Sequence, residues 1–174
     1  QQGLLAELLV LKDNLIPNYG VDKAIEMWQG PKGAKQDFIL PESWIEVKST
    51  NLGKREIHIS SLEQLDSPIS DGVLSVVTLQ ESNAYDANAI CLSTFIDEIE
   101  SEINDDLIAI DFKEKLLLVG YGQNKENELY FRVCGIENYR VNEEFPKIKR
   151  NDIPTAITKV SYTLNLEAIS NFKI

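Results

Sequence analysis

The stretch Gln36-Asp37-Phe38-Ile39-Leu40-Pro41-Glu42-Ser43-Trp44-Ile45-Glu46-Val47-Lys48 decides how the chain is read. Phe38, Ile39, Trp44, Ile45 and Val47 are the β-branched and aromatic types that fill strands, and Pro41, Glu42 and Ser43 mark a turn between two of them. Side chains alternate faces along a strand, so Glu46 and Lys48 share one face and Ile45 and Val47 the other. The step from Glu46 to Lys48 is roughly 6.6 Å. A tight loop pairs Leu40 with Ser43, a wider one Ile39 with Trp44, and either places Asp37 opposite Glu46 on the same face. Directly opposed like charges, with Cβ atoms about 4.5–5.5 Å apart, destabilise a hairpin. A hard divalent cation removes that conflict, because it takes oxygen ligands and accepts two carboxylates together with waters and a phosphate. Lys48 adds a compact cation at the rim. Two carboxylates and a lysine on one pleated face describe a site for metal-assisted phosphodiester hydrolysis.

Upstream, Leu4, Leu5, Leu8, Leu9, Leu11, Leu15 and Ile16 fall within one arc at 100° per residue, which predicts an amphipathic helix over Gly3–Ile16. Glu7 lies just outside that arc; it is either a solvated flank residue or an acid that leans toward the site. Pro17 to Gly20 ends the helix. Val21–Gln29 is expected to form a short second helix with Ile25 and Trp28 inward, followed by a loop over Gly30–Lys35. Downstream, Ile57–Ser60 reads as a third strand. Ser61–Leu65 reads as a helix start, with Ser60 or Ser61 at its cap and Gln64 near the reciprocal position of a capping box.

The arrangement of Asp37 with Glu46-Val47-Lys48 resembles the PD-(D/E)XK nuclease superfamily, and more specifically an uncharacterised bacterial PD-(D/E)XK-motif family found near restriction and phage-defence genes. The matching phrases are Gly3-to-Leu8, Gly30-Pro31 ahead of Gln36-Asp37-Phe38, Glu46-Val47-Lys48, Ile59-Ser60-Ser61 with Gln64-Leu65, Phe145-Pro146 and Val160-Ser161-Tyr162. The resemblance spans nearly the whole chain. It implies a restriction-endonuclease-like α/β fold: helix, three-stranded antiparallel meander, helix and strand, with a mixed central sheet flanked by helices. It also implies Mg²⁺ or Mn²⁺ held by Asp37, Glu46 and the Val47 carbonyl, with Lys48 catalytic and Glu7 and Gln64 secondary. DNA is the implied partner, contacted through Lys32, Lys35, Lys54 and Arg55; other subunits of a defence system or a second copy of the chain are further partners. A non-catalytic scaffold of the same fold is the alternative.

The chain has 174 residues, 43% hydrophobic and 26% charged, an ordinary globular composition. It is read as one domain over 1–174, with a core of about 1–104 and a C-terminal α+β extension of about 105–174. The absence of an initial Met suggests N-terminal trimming. No apolar run approaches the ~18 residues that span a bilayer, and no signal peptide is visible, so a cytoplasmic protein without a membrane partner is expected. Cys91 and Cys134 lack metal spacing and read as small buried residues. A single histidine, His58, leaves little material for a histidine metal site or a Ser-His triad.

A net charge of −11 runs against nucleic-acid binding, whose non-specific part comes from phosphate neutralisation by Lys and Arg. The charge is unevenly placed, however. Residues 1–60 hold 7 Lys/Arg against 8 Asp/Glu, and residues 61–174 hold 10 against 20. The half with the proposed site is nearly neutral; the acidity belongs to the other half.

That second half predicts a central strand over Val73–Leu79, apolar on both faces. A long helix with an acidic outer face is predicted over Asp86–Ile103, and another over Leu107–Val119 stopping at Gly120. A β-hairpin of Leu129–Cys134 with Asn138–Val141 is expected to turn around Gly135. An irregular Phe145–Pro154 carries Lys147, Lys149 and Arg150, and a last strand is predicted over Val160–Leu166.

Overall fold

The apolar run Val73–Leu79 becomes the centre of β4 (Gly72–Ser82), and β4 has a neighbour on each side. The computed structural model, which describes residues 1–122 and 128–174, sets it in a five-stranded mixed sheet of order β1-β2-β4-β6-β5. β1 (Phe38–Ile39) and β2 (Trp44–Asn51) form the expected hairpin, with Ile39 opposite Trp44 and Phe38 opposite Ile45. β2 runs parallel to β4, and β4 antiparallel to β6 (Tyr130–Val141). The short β5 (Ile90–Cys91) borders β6 on its far side. Leu74, Val76, Val77 and Leu79 are fully buried, as a strand covered on both faces requires.

Helices cover one face. α1 (Gln2–Val10), a π-helical turn at Leu11–Leu15 and α2 (Ile16–Tyr19) make one unbroken run. The wide turn comes just before Pro17, which has no N–H to return to the preceding turn. α3 (Val21–Met27), α4 (Leu92–Glu102) and α5 (Asp106–Leu118) complete this layer. Leu5, Leu8, Trp28, Ile96 and Phe112 pack there with Ile45, Val47, Val77 and Leu79. The opposite face carries Trp44, Leu74, Val76 and Tyr139. It packs on a two-stranded sheet of β3 (Glu56–Ile59) and β7 (Tyr162–Asn165), and on Phe145 and Ile169. Ile45 and Val47 thus face the helices, and alternation sends Glu46 and Lys48 to the other side with Trp44. Among the described residues, no helix is long and apolar enough to cross a membrane.

The mixed sheet flanked by helices is the architecture the sequence predicts, and α5 ends as expected before Gly120 (φ 81°). Four details differ. The third strand of the meander, β3, pairs with β7 and not with β2. The helix expected from Ser61 is a single 3₁₀ turn at Leu62–Gln64. The helix predicted from Asp86 begins only at Leu92. Before it, Asp86 accepts from Asn88 N–H, Ser82 hydroxyl and Arg132, holding the segment as a turn by competing for the backbone. The hairpin around Gly135 is one continuous strand. Gly135 pairs with Thr78 and Val133 with Leu79, so the chain bulges there and does not reverse. Cys91 is buried as expected, whereas Cys134 is exposed, and both are free thiols.

Candidate active site

β1 ends at Phe38, so beyond Ile45 the outer edge of β2 runs on with no strand beside it. The backbone of Val47 lies at this open edge, and its N–H donates to Asp37 Oδ2 at 2.7 Å. A hydrogen bond to a charged acceptor contributes about 1.5–3 kcal/mol, so the carboxylate stands in for the missing strand. The Asp37 carbonyl in turn accepts the N–H groups of Gln29 and Gly30, each at 2.9 Å. The approach is close: a Cβ at position 30 would stand 3.0 Å from Asp37 Oδ1 and 3.1 Å from its Cα. Glycine at position 30 lets the loop backbone close on Asp37.

Asp37 is therefore not a ladder partner of Glu46, as the hairpin register alone suggests; its side chain turns onto the neighbouring amide. The two carboxylates still act on each other. Glu46 is 1% exposed. Burial, then the charge on Asp37, pushes its carboxyl up to about 8, and Lys48 opposes that shift without cancelling it. Glu46 Oε1 pairs with Lys48 Nζ at 2.8 Å, while Glu46 Oε2 is buried with no hydrogen-bond partner. Burial also raises Asp37, against the Val47 N–H and the charge of Lys48.

Lys48 is held from two sides. Besides Glu46, it donates to Gln64 Oε1 at 3.1 Å, and the same oxygen accepts Ser60 N–H at 2.8 Å. Gln64 thus ties the 3₁₀ turn to the end of β3 and holds the lysine through the same oxygen. The turn is tied back to the start of the hairpin by Gln36, a buried side chain whose Nε2 donates to the Glu63 carbonyl.

Glu7 reaches the same place from α1. Its Oε2 accepts Trp28 Nε1–H at 2.8 Å. Burial, then the charge on Asp37, pushes Glu7 up to about 8. The structure thus brings Glu7, Asp37, Glu46 and Lys48 within mutual electrostatic reach, with Gln64 hydrogen-bonded to Lys48. The donor set suits a hard divalent cation: three carboxylates resist ionising together, and one buried oxygen lacks a partner. Among the described residues, no three His, Cys, Asp or Glu side chains are gathered closely enough to hold an ion by themselves. Water, backbone carbonyl or phosphate oxygens would have to complete its shell, the usual habit of Mg²⁺.

The basic residues singled out from sequence divide into two kinds. Lys32 is ion-paired with Asp111 of α5, and Arg55 with Glu167 at 2.6 Å. Lys35 and Lys54 are exposed and make no ion pair among the described residues. Lys149 pairs with Glu143, and Arg150 donates from its guanidinium to the Ile157 carbonyl. His58 is exposed on the outer face of β3, opposite Thr163. A cavity of about 490 Å³ near Leu4, Leu92 and Tyr121 is lined by none of the five site residues.

Sequence reasoning missed three supports. Trp28 reads as core, yet a buried indole N–H needs an acceptor, and Glu7 is that acceptor. Gln36 stands in a matched phrase, but nothing in that phrase shows that its side chain is buried and bonded to the Glu63 carbonyl. The pair Asp111 and Lys115 shows only as an i,i+4 charge pair on a helix, with nothing to say that Lys115 is fully buried.

A family model described as "Putative PD-(D/E)XK family member (DUF4420)" matches residues 1–167. No curated protein and no solved structure matches the chain.

Proposed function

We propose that this chain, which belongs to the PD-(D/E)XK family whose model it matches, is a metal-dependent endonuclease that hydrolyses DNA phosphodiester bonds in the cytoplasm, in a restriction or phage-defence setting. The observation that carries this reading is the crowding of Asp37, Glu46 and Glu7 around Lys48 at an open strand edge, with one buried Glu46 oxygen unpartnered. Asp37 and Glu46 would hold Mg²⁺ or Mn²⁺, with the Val47 carbonyl, which shares its edge with the Val47 N–H, as a further ligand. When bound, the ion lowers the pKa of a coordinated water and offsets charge developing on the phosphate. Lys48 orients the attacking water and adds positive charge where the transition state gathers negative charge. Gln64 fixes the position of Lys48, and Glu7 contributes a secondary carboxylate. Lys35 and Lys54 contact the DNA backbone directly; Arg55 does so by exchanging Glu167 for a phosphate, and Lys32 adds its charge at the rim while it stays paired with Asp111.

A second reading has its own observation. Leu107, Ile110, Leu117 and Leu118 stand exposed along α5, on the acidic half of the chain. Exposed apolar residues at helical spacing suit a protein contact, either a second copy of this chain or another subunit of a defence complex. A catalytically inactive scaffold would use that face alone; a nuclease could use both.

The deciding experiment is calorimetric titration of Mg²⁺ and Mn²⁺ into the wild type, Asp37→Ala and Glu46→Ala, with and without non-cleavable duplex DNA. Binding in the wild type that disappears in both variants is expected. Absence of binding even with DNA present would overturn the nuclease reading in favour of the scaffold.

A further inference from the structure

We infer that α5 is a positioning element for the site, acting through a charge network of buried Lys115, half-buried Asp111 and exposed Lys32, and through the ring of Phe112. Lys115 is fully buried, and a lysine is almost never so unless its charge is matched. Its Nζ donates to the Ile25 carbonyl of α3 at 2.6 Å and pairs with Asp111 Oδ2 at 2.7 Å. The other oxygen of Asp111 takes Lys32, which sits in the 3₁₀ turn Gly30–Lys32. One helix thus holds α3 at Ile25 and the connection that follows it at Lys32. That loop supplies the Gln29 and Gly30 N–H groups that hold the Asp37 carbonyl. One residue from Asp111, Phe112 packs on Trp28 with ring centroids 5.9 Å apart, and Trp28 holds Glu7.

Asp37 and Glu7 both depend on backbone or side-chain donors in the segment 28–30, and α5 fixes that segment from beneath. Burying the Lys115 charge costs desolvation, and a well-packed apolar residue often matches the stability of a buried pair. Its better-attested use is geometric, and residues that hold metal ligands in place without touching the ion commonly change affinity 10- to 100-fold when removed. None of these α5 side chains touches substrate or ion; they act through the loop. The inference rests on the reading of Asp37 and Glu7 as site carboxylates, but its first readout does not need a metal.

The test compares Lys115→Met and the double variant Asp111→Asn/Lys115→Met with the wild type. Hydrogen exchange is followed at the Gln29, Gly30 and Val47 amides, with the Val76 amide as an internal reference for global opening. Exchange about 10-fold faster at the first three, with Val76 unchanged, is expected in both variants, as is about 10-fold weaker Mn²⁺ binding by electron paramagnetic resonance. Unchanged protection at the loop amides, or equal acceleration at all four, overturns the positioning role and leaves the network as stability alone. Failure of the wild type to bind Mn²⁺ with duplex present would instead remove the nuclease reading, and the exchange data would still decide whether α5 holds the loop.

Discussion

Two charge clusters in this molecule are built around lysines, on opposite principles. Lys115 and Lys32 share one aspartate, and each oxygen of Asp111 has its own lysine. The Lys115 ammonium also has a carbonyl, and nothing in this network lacks a partner among those contacts. Around Lys48 the proportions invert: Glu7, Asp37 and Glu46 face one cation, burial lifts all three carboxyls, and Glu46 Oε2 is unsatisfied. A cluster that partners each of its charged groups holds the fold together. One that does not is held together by the fold, and the imbalance marks where an outside cation belongs.

The largest expected effect separates the two clusters by exchanging their phenotypes. Asp37→Ala should reduce DNA cleavage by at least about 10³-fold, roughly the 4 kcal/mol of transition-state stabilisation such a group supplies. Its melting temperature should change only modestly, because losing the Val47 N–H bond and removing a repelling carboxylate oppose each other. Asp111→Ala should instead lower stability. It leaves Lys115 buried with only the Ile25 carbonyl, and breaking a buried pair from one side costs about 3–5 kcal/mol. Thermal unfolding of both variants beside cleavage assays reads the comparison directly. A strongly destabilised Asp37→Ala would mean that its cluster is structural too.

A smaller effect follows from the sign of the shifts. In the fold, Glu46 and Glu7 keep their protons up to about 8, whereas the ordinary value is 4.5. Between those values the native state holds more protons than the unfolded chain, so metal-free stability should fall as pH rises from about 5 to 8. The stability is present below the unfolded value and lost through the folded one, the opposite of an ordinary salt-bridged carboxylate. Glu46→Gln carries no such proton and should lose less stability across the window. Mg²⁺ should restore the wild type most at the upper end, where the carboxylates are ready to ionise. Melting curves from pH 5 to 8 that stay parallel for the wild type and Glu46→Gln would contradict this.

How much of this was legible in the chain follows the range of each interaction. The β1–β2 register is local, fixed by Pro41 and the strand residues around it, and it put Asp37, Glu46 and Lys48 near one another before any tertiary contact was considered. The central position of β4 was legible from its unbroken apolar run. What failed was long-range or competitive. Nothing in Ile57–Ile59 distinguishes pairing with β2 from pairing with β7, because its alternation suits either partner. Gly135 was read as a turn, although a glycine in a strand also serves a bulge. Asp86 looked like part of a helix until its side chain found three donors. The network of Lys115 was invisible for the same reason, since a lysine's burial depends on what the rest of the chain packs above it.

The smallest effect tests the rim of the site, where the same contrast between spoken-for and available charge recurs on the surface. Lys32 and Arg55 already have carboxylate partners, and Lys35 and Lys54 make no ion pair among the described residues. Each phosphate contact that a lysine makes adds about 0.9 to the slope of log affinity against log salt. Lys35→Ala and Lys54→Ala should each lower that slope by close to one unit and weaken duplex binding several-fold at low salt. Arg55→Ala should do less, because the arginine gives up Glu167 when it takes a phosphate. An exposed pair of that kind contributes only about 0–1 kcal/mol, so none of these variants should shift the melting temperature appreciably. Binding isotherms of the Mg²⁺-free protein at several salt concentrations measure the slopes without cleavage. Equal slopes for all variants would place the DNA track elsewhere, and Arg150 beside Glu63 would be the next residue to change.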